Sequence, residues 1–297
     1  MRPRTNAVRP LSDSHTDITR SPLFEAEHAS RYERQRLIAE YEETVGCRFV
    51  VMFDFFDRAT PTNVEELLFD VEKNDELHLL LWSPGGDGEV AVRVLRSITE
   101  RCSRFVVVVP DIAKSAGTLF VLGADEIVMG PTSDLGPVDP QLRIESTGEK
   151  WSAAKDIIRA VEEATQAVQK NPDTYPIHAS LLADVDALLV RRAHAELNRT
   201  SELVKQALSC NRNYTSDEVE QLAKDLTRSL IDIPDTHAAI FGAKEAVSEG
   251  LKAVVSEDPS SERWRLVWKL WTRYFTLNKR IYEARKVSHV VEWEPLS

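Results

Sequence analysis

"LHLLLWSPGGDGEVAVRVLRSITERCSRFVVVV", residues 77–109, is the stretch that decides the fold. Apolar runs stand at its two ends, 77–82 (broken only by His78) and 105–109, with the turn "SPGGDG" (83–88) and a helical stretch near Glu89–Cys102 between them. Short apolar runs bounded by turn residues suit strands buried on both faces, and strand, helix, strand within about 30 residues is a βαβ unit of a parallel sheet. Working outward, "RFVVMFDF" (48–55) supplies an earlier buried strand, joined to 77–82 by a helical stretch near Asn63–Glu72. On the other side a helix is expected near Ala116–Gly123, a short strand at Glu126–Met129, and then the loop "GPTSDLGPVDPQL" (130–142). The chain therefore reads as an α/β fold, a mostly parallel sheet covered by helices. In such sheets the turns at the carboxyl ends of the strands bind ligands.

The remainder is helical in character. From Ala26 the chain is charged and helical as far as the first strand, and residues 151 to about 230 read as helices broken by "NPDTYP" and "CNRNY"; no internal repeat is present. Residues 1–25 carry basic side chains without an apolar core and are expected to form a mobile arm. In the last segment, 256–297, Trp264, Trp268, Trp271 and Phe275 fall on one helical stripe, and residues 263–286 hold eight Lys or Arg against the single Glu283. That pattern predicts a basic aromatic C-terminal helix for an oligomer or partner contact, with a peripheral membrane or an acidic partner as the alternative. The main domain is then expected over 26–255.

With 297 residues, 42% of them hydrophobic and 29% charged, the chain can bury a full core. Its net charge of −11 argues against nucleic-acid binding. Cys47, Cys102 and Cys210 are too widely spaced for a zinc motif and too few for a disulfide framework, so reduced thiols, no metal and a cytoplasmic location are expected. No run approaches the 18 or more apolar residues of a membrane span.

Ser115, in "PDIAKSAGTLFVLGADEIVMGP" (110–131), sits between an apolar run and a helix, where a serine ordinarily caps the helix. A nucleophile at that place needs a base for its proton and N–H donors for an oxyanion. The glycines of "SPGGDG" can turn backbone N–H groups outward, although a plain Pro-Gly turn explains them as well. Of the seven histidines none follows Ser115 within 60 residues, and His237 would have to fold back from far along the chain. A lysine whose burial lowers its pKa can serve instead, and Lys114, Lys150 and Lys155 are the nearby ones. Asp134 and Asp139 sit in the following loop, where each shapes a turn or, for Asp139, orients a base.

Together "LWSPGGDGEVAVRVL" (81–95), "VVVPDIAKSAGTLFVLGADEIVMGP" (107–131) and "LGPVDPQL" (135–142) resemble the serine dehydrogenase proteinase family of the Clp-protease/crotonase-like superfamily, with a weaker echo in "HAAIFGAKEAVSEGLKAVV" (237–255). Signal peptide peptidase A and the stomatin-operon proteases belong to the same superfamily. The resemblance implies a Clp/crotonase-like fold and an ATP-independent serine peptidase acting on peptide or protein substrates, without a cofactor, as a homo-oligomer. It implies Ser115 as nucleophile and the amides of Gly86 and Ala116 as oxyanion hole. The matching position for a lysine base is Lys155, forty residues after the serine. Lys150 and Lys114 are the reserves. Two departures stand out: Lys114 occupies a place where the family usually has methionine, and Ala116-Gly117 replaces Gly-Gly. A catalytically inactive peptide-binding or scaffold protein of the same fold is the alternative, and a coenzyme A-dependent enzyme of the crotonase type is a third.

Overall fold

The computed structural model describes residues 21–144, 150–234, 239–277, 279–285 and 287–292. Helix α1 (Pro22–Val45) starts with Ser21 accepting from the Phe24 amide and Pro22 in the first turn, and ends at Gly46 in the left-handed region. Then come β1 (Arg48–Phe53), α2 (Thr60–Leu67), β2 (Glu76–Trp82), α3 (Gly88–Arg101), β3 (Arg104–Val109), the short β4 (Ile112–Ala113), α4 (Ala116–Leu122) and β5 (Glu126–Met129). The strands at 48–53, 76–82, 104–109 and 126–129 are those the apolar runs announce.

The chain goes on through β6 (Asp134–Leu135), the hairpin of β7 (Gln141–Ile144) and β8 (Lys150–Ala153), and the helices α5 (Ala154–Lys170), α6 (Tyr175–Leu181), α7 (Ala187–Leu208) and α8 (Ser216–Thr227). A π-helical turn, Arg228–Asp232, follows α8. Helix α9 (Ala243–Ser248), β9 (Val254–Ser256), α10 (Glu262–Leu277), β10 (Lys279–Ala284) and β11 (Val287–Glu292) complete the order.

Seven strands form the main sheet in the order β11-β10-β1-β2-β3-β5-β9. From β1 to β9 all neighbours are parallel, and β10 and β11 add an antiparallel hairpin at the β1 edge. Register explains why the interior of each strand is mostly apolar. Val50, Leu79, Val107, Ile127 and Val254 align as one row and face the core beneath α3, α4, α7 and α8. The next row, Val51, Leu80, Val108 and Val128, faces the core shared with α1 and α10. Helices on both faces bury the middle of each of these strands, and the solvated side chains stand at strand ends, as Arg104 does at the start of β3.

Three regions differ from the sequence reading. Helix α1 begins at Pro22, inside the expected arm, because Ser21 and Pro22 make a good helix start. Residues 150–153 form a strand where helix was expected from 151, pairing with β7. The expected C-terminal helix over 256–297 is a helix only at 262–277; β10 and β11 follow and belong to the main sheet. Its aromatic stripe divides, with Trp264 and Trp271 buried against the sheet and Trp268 and Phe275 left 43% and 68% exposed. Two of the charges in this segment lie on β10 and meet buried partners: Arg280 grips Asp54 at 2.5 and 2.7 Å, and Glu283 takes Arg34 at 2.8 Å.

Candidate active site

Two turns at the carboxyl ends of β2 and β3 are laced together. Ser83 and Ala113 form a parallel bridge, with Ser83 N donating to Ile112 O at 3.1 Å and Lys114 N to Ser83 O at 2.9 Å. Gly85 and Gly86 stand at φ 127° and 122°, a region that L side chains rarely adopt. A third strand end holds this turn in place, as Phe56 N donates to Gly85 O and Asp87 N to Phe56 O. A Cβ on Gly86 would lie 2.4 Å from Phe56 O, and one on Gly85 2.9 Å from the Ser115 Cβ. Glycine is thus demanded twice by close approach, once by the scaffold and once by the serine itself.

Ser115 has φ 51° and ψ −116°, the only non-glycine residue at positive φ among the described residues. With Gly117 N donating to Lys114 O at 2.7 Å, these angles are those of the first central position of a type II′ turn, normally a glycine position. Holding a serine there costs about 1–3 kcal/mol. Its carbonyl accepts from Leu119 N and so begins α4, but its side chain makes no cap hydrogen bond. The side chain is therefore free of the job that ordinarily explains a serine at this place. Among the described residues, Ser115 Oγ and the amides of Gly86 and Ala116 have no hydrogen-bond partner.

All three groups border one cleft of about 440 Å³. Leu119, Val138 and Leu203 give it an apolar floor, and Asp139 and Trp151 stand on the side of the β7–β8 hairpin. Asp139 is buried and accepts from Gln141 Nε2 at 2.8 Å. Across the mouth, Arg199 on α7 grips Glu89 on α3 through Nε and Nη2, and that contact holds the Glu89 carboxyl below the usual carboxylate range.

The two lysines with described side chains lie differently. Lys155, at the start of α5, is buried; its Nζ donates to Ile231 O at 2.7 Å and to Pro234 O, and it is not among the residues bordering the cleft. Lys114 directs its Nζ to the Asp134 carboxylate, to Leu135 O at 3.0 Å and to Ala239 O at 3.1 Å. Neither donates to Ser115 Oγ. Lys150 lies on β8 without a described side chain, and His237 falls outside the described residues. Sequence reasoning missed Trp151, Glu89, Arg199 and Leu203. Glu89 and Arg199 are 110 residues apart and meet only because α7 packs on α3. A lone tryptophan in "EKWSA" was the one local signal available.

A parallel sheet covered on both faces, with a serine on a strained turn beside two glycines at its carboxyl edge, defines a ClpP-like α/β domain. The chain belongs to the ClpP-like SDH-type serine proteinase family, whose profile matches residues 29–235. Two relatives in Methanocaldococcus jannaschii are similar to it, the uncharacterized proteins MJ0137 and MJ1495. The first is 28% identical over 211 residues, covering 71% of this chain and 64% of its own; the second is 29% identical over 209, covering 66% and 64%. The chain thus spans a little under two thirds of the length of these relatives. Among solved structures it is similar to the 1510-N membrane-bound stomatin-specific protease in complex with a substrate peptide, with 15% identity, a TM-score of 0.42, and 82% of this chain and 86% of that one covered. The ClpP protease catalytic domain of Plasmodium falciparum gives 12% identity and a TM-score of 0.40 over 83% and 97% of the two chains. No helix among the described residues is long and apolar enough to cross a membrane.

Proposed function

We propose that this protein is a serine peptidase that cleaves peptide bonds through an acyl-enzyme on Ser115, with Lys155 as the general base and the amides of Gly86 and Ala116 as oxyanion hole. The observation that carries this reading is the type II′ turn, which keeps Ser115 out of helix capping and beside two unpartnered amides on one cleft. Ser115 Oγ attacks the carbonyl carbon while its proton passes to Lys155 Nζ; the two amides hold the developing oxyanion. Lys155 returns the proton to the leaving amine, and water then releases the acyl group by the same steps in reverse.

The choice between lysines follows from their acceptors. An ammonium has three donor positions and a neutral amine has two with one lone pair. Lys114 has three acceptors, so every position is taken. Lys155 has two among the described residues, which fix its amine and leave one tetrahedral position for a lone pair. Taking up the serine proton requires Ser115 and Lys155 to approach, and catalytic hydrogen bonds commonly tighten only when substrate binds. Self-assembly belongs to the same reading: α6 buries none of its residues, and Tyr175, Ile177 and Leu181 stand exposed on it.

One observation favours the alternative of a peptide-docking protein without activity, namely that Ser115 Oγ and Lys155 Nζ are not hydrogen-bonded. A fluorophosphonate probe separates the two. Covalent labelling of the wild type that disappears in Ser115→Ala supports the peptidase, and a folded wild type that stays unlabelled together with undetectable cleavage of a fluorogenic peptide overturns it.

A further inference from the structure

Lys114 stands next to the nucleophile and turns away from it. Its stem runs under Gly136, where a Cβ would come within 2.2 Å of Lys114 Cδ. Its ammonium is shared by Asp134, Leu135 O and Ala239 O. The other oxygen of Asp134 accepts from Phe241 N at 2.7 Å, and Leu135 N donates to Phe241 O at 3.0 Å. Two segments distant in sequence, 134–136 and 239–241, are thereby tied to the residue whose own carbonyl closes the Ser115 turn through Gly117 N. The side chains of Lys114 and Asp134 are 14% and 17% exposed, so the pair is only weakly screened by water. A residue held at an unfavourable φ persists only where its surroundings over-determine it, and this network supplies that determination on the side of the turn away from the cleft.

We infer that Lys114 is a positioning residue: with Asp134 it clamps the turn that holds Ser115 at positive φ, and so sets the reactivity of the nucleophile without exchanging a proton. The kinetic half of this inference rests on the peptidase reading; the structural half does not. Lys114→Met keeps an unbranched stem and removes the ammonium, but it leaves the Asp134 carboxylate shielded and unpaired, a change that can unfold a protein. The deciding variant is therefore the double substitution Lys114→Met with Asp134→Asn.

The single variant is expected to melt lower than the wild type, and the double to regain most of that loss. Fluorophosphonate labelling of Ser115 in the double variant stays down by about 10- to 100-fold, the cost of misplacing a reacting atom by about an ångström. On a peptide substrate kcat falls, KM holds, and the pH-rate profile keeps its shape because the base is elsewhere. Amide exchange over residues 113–119 and 239–243 runs faster than in the wild type. Labelling and exchange at wild-type rates in a folded double variant would reduce the clamp to ordinary packing and overturn it. Recovery of labelling on adding a small alkylamine would overturn it the other way, by making Lys114 the base. Should the wild type itself resist the probe and leave the fluorogenic peptide uncut, the peptidase reading falls and exchange alone decides: unchanged exchange over both segments sinks the clamp.

Discussion

The two ends of strand β2 treat their polar groups in opposite ways. At its start the buried His78 has a partner for each ring nitrogen, Tyr41 Oη at 2.9 Å and Glu76 at 2.8 Å, and Glu76 in turn takes Arg104 at 2.8 Å. At its finish the chain enters the glycine turn, and there, among the described residues, Gly86 N, Ala116 N and Ser115 Oγ stand unpartnered beside a cleft. Gly86 is exposed and Ser115 half-buried there, so water in the cleft meets these groups, and the cost at this end is that of the strained turn, about 1–3 kcal/mol. Folding completes one end of the strand and leaves the other open, and on the proposed reading a substrate carbonyl completes it. Substitutions at the finish should therefore remove reactivity and spare stability, while those in the completed networks should do the reverse.

Ser115→Ala should break the comparison first if it is wrong. All probe labelling and peptide hydrolysis are expected to vanish with the melting temperature unchanged, since Ser115 Oγ supports nothing in the fold. Ser115→Gly, by relieving the positive φ, should be equally inactive and about 1 kcal/mol more stable by denaturant titration. A loss of stability in Ser115→Ala would mean that the serine caps or packs after all. Lys155→Met comes next, with hydrolysis down about 10²- to 10⁴-fold, the usual worth of a general base, measured as kcat in a folded variant. Retention of more than a tenth of wild-type activity would remove Lys155 from the reaction.

At the completed side, the buried pair of Arg34 on α1 and Glu283 on β10 gives the largest stability effect. Arg34→Met strands the Glu283 carboxylate, which also holds Gln35, in the interior. A loss of about 3–5 kcal/mol is expected on denaturant titration, with the labelling rate of the still-folded fraction unchanged. A selective fall in labelling at constant stability would show that this seam and the cleft are coupled.

These outcomes also mark what the sequence could carry. The parallel strands were legible because burial on both faces makes the interior of each a mostly apolar run, and their turns were legible because glycine and proline punctuate them. The C-terminal hairpin was not. Its strand "KRIYEA" carries charges at 279, 280 and 283, and only the fold reveals that Arg280 meets Asp54 and Glu283 meets Arg34, 226 and 249 residues away. The same reason hid the wall of the cleft on α7 and the acceptors of Lys114. The serine and its glycine turn could be read as a candidate site because their chemistry is local. The surroundings that tell one lysine from another are tertiary, and periodicity holds no trace of them.

His78 gives the smallest and finest test of the comparison. Burial holds its imidazole below the ordinary value of 6.5, against the opposing pull of the Glu76 carboxylate. In the unfolded chain the ring takes up a proton as pH falls through about 6.5; in the folded protein it does so only at lower pH. Below 6.5 the unfolded state therefore binds more protons, and stability is lost as pH falls, by at most about 1.4 kcal/mol per pH unit for this one group. Glu76 titrates outside that window, because His78 and Arg104 outweigh its burial and keep it below the usual carboxylate range. Denaturant titrations between pH 7 and 5 should show this slope in the wild type and a flatter one in His78→Gln, even though the variant is less stable at pH 7. Labelling of Ser115 at pH 7 should be the same in both, since the change lies at the completed end of β2. An unflattened slope would assign the acid loss to other groups, and a changed labelling rate would mean that the two ends of the strand do not act separately.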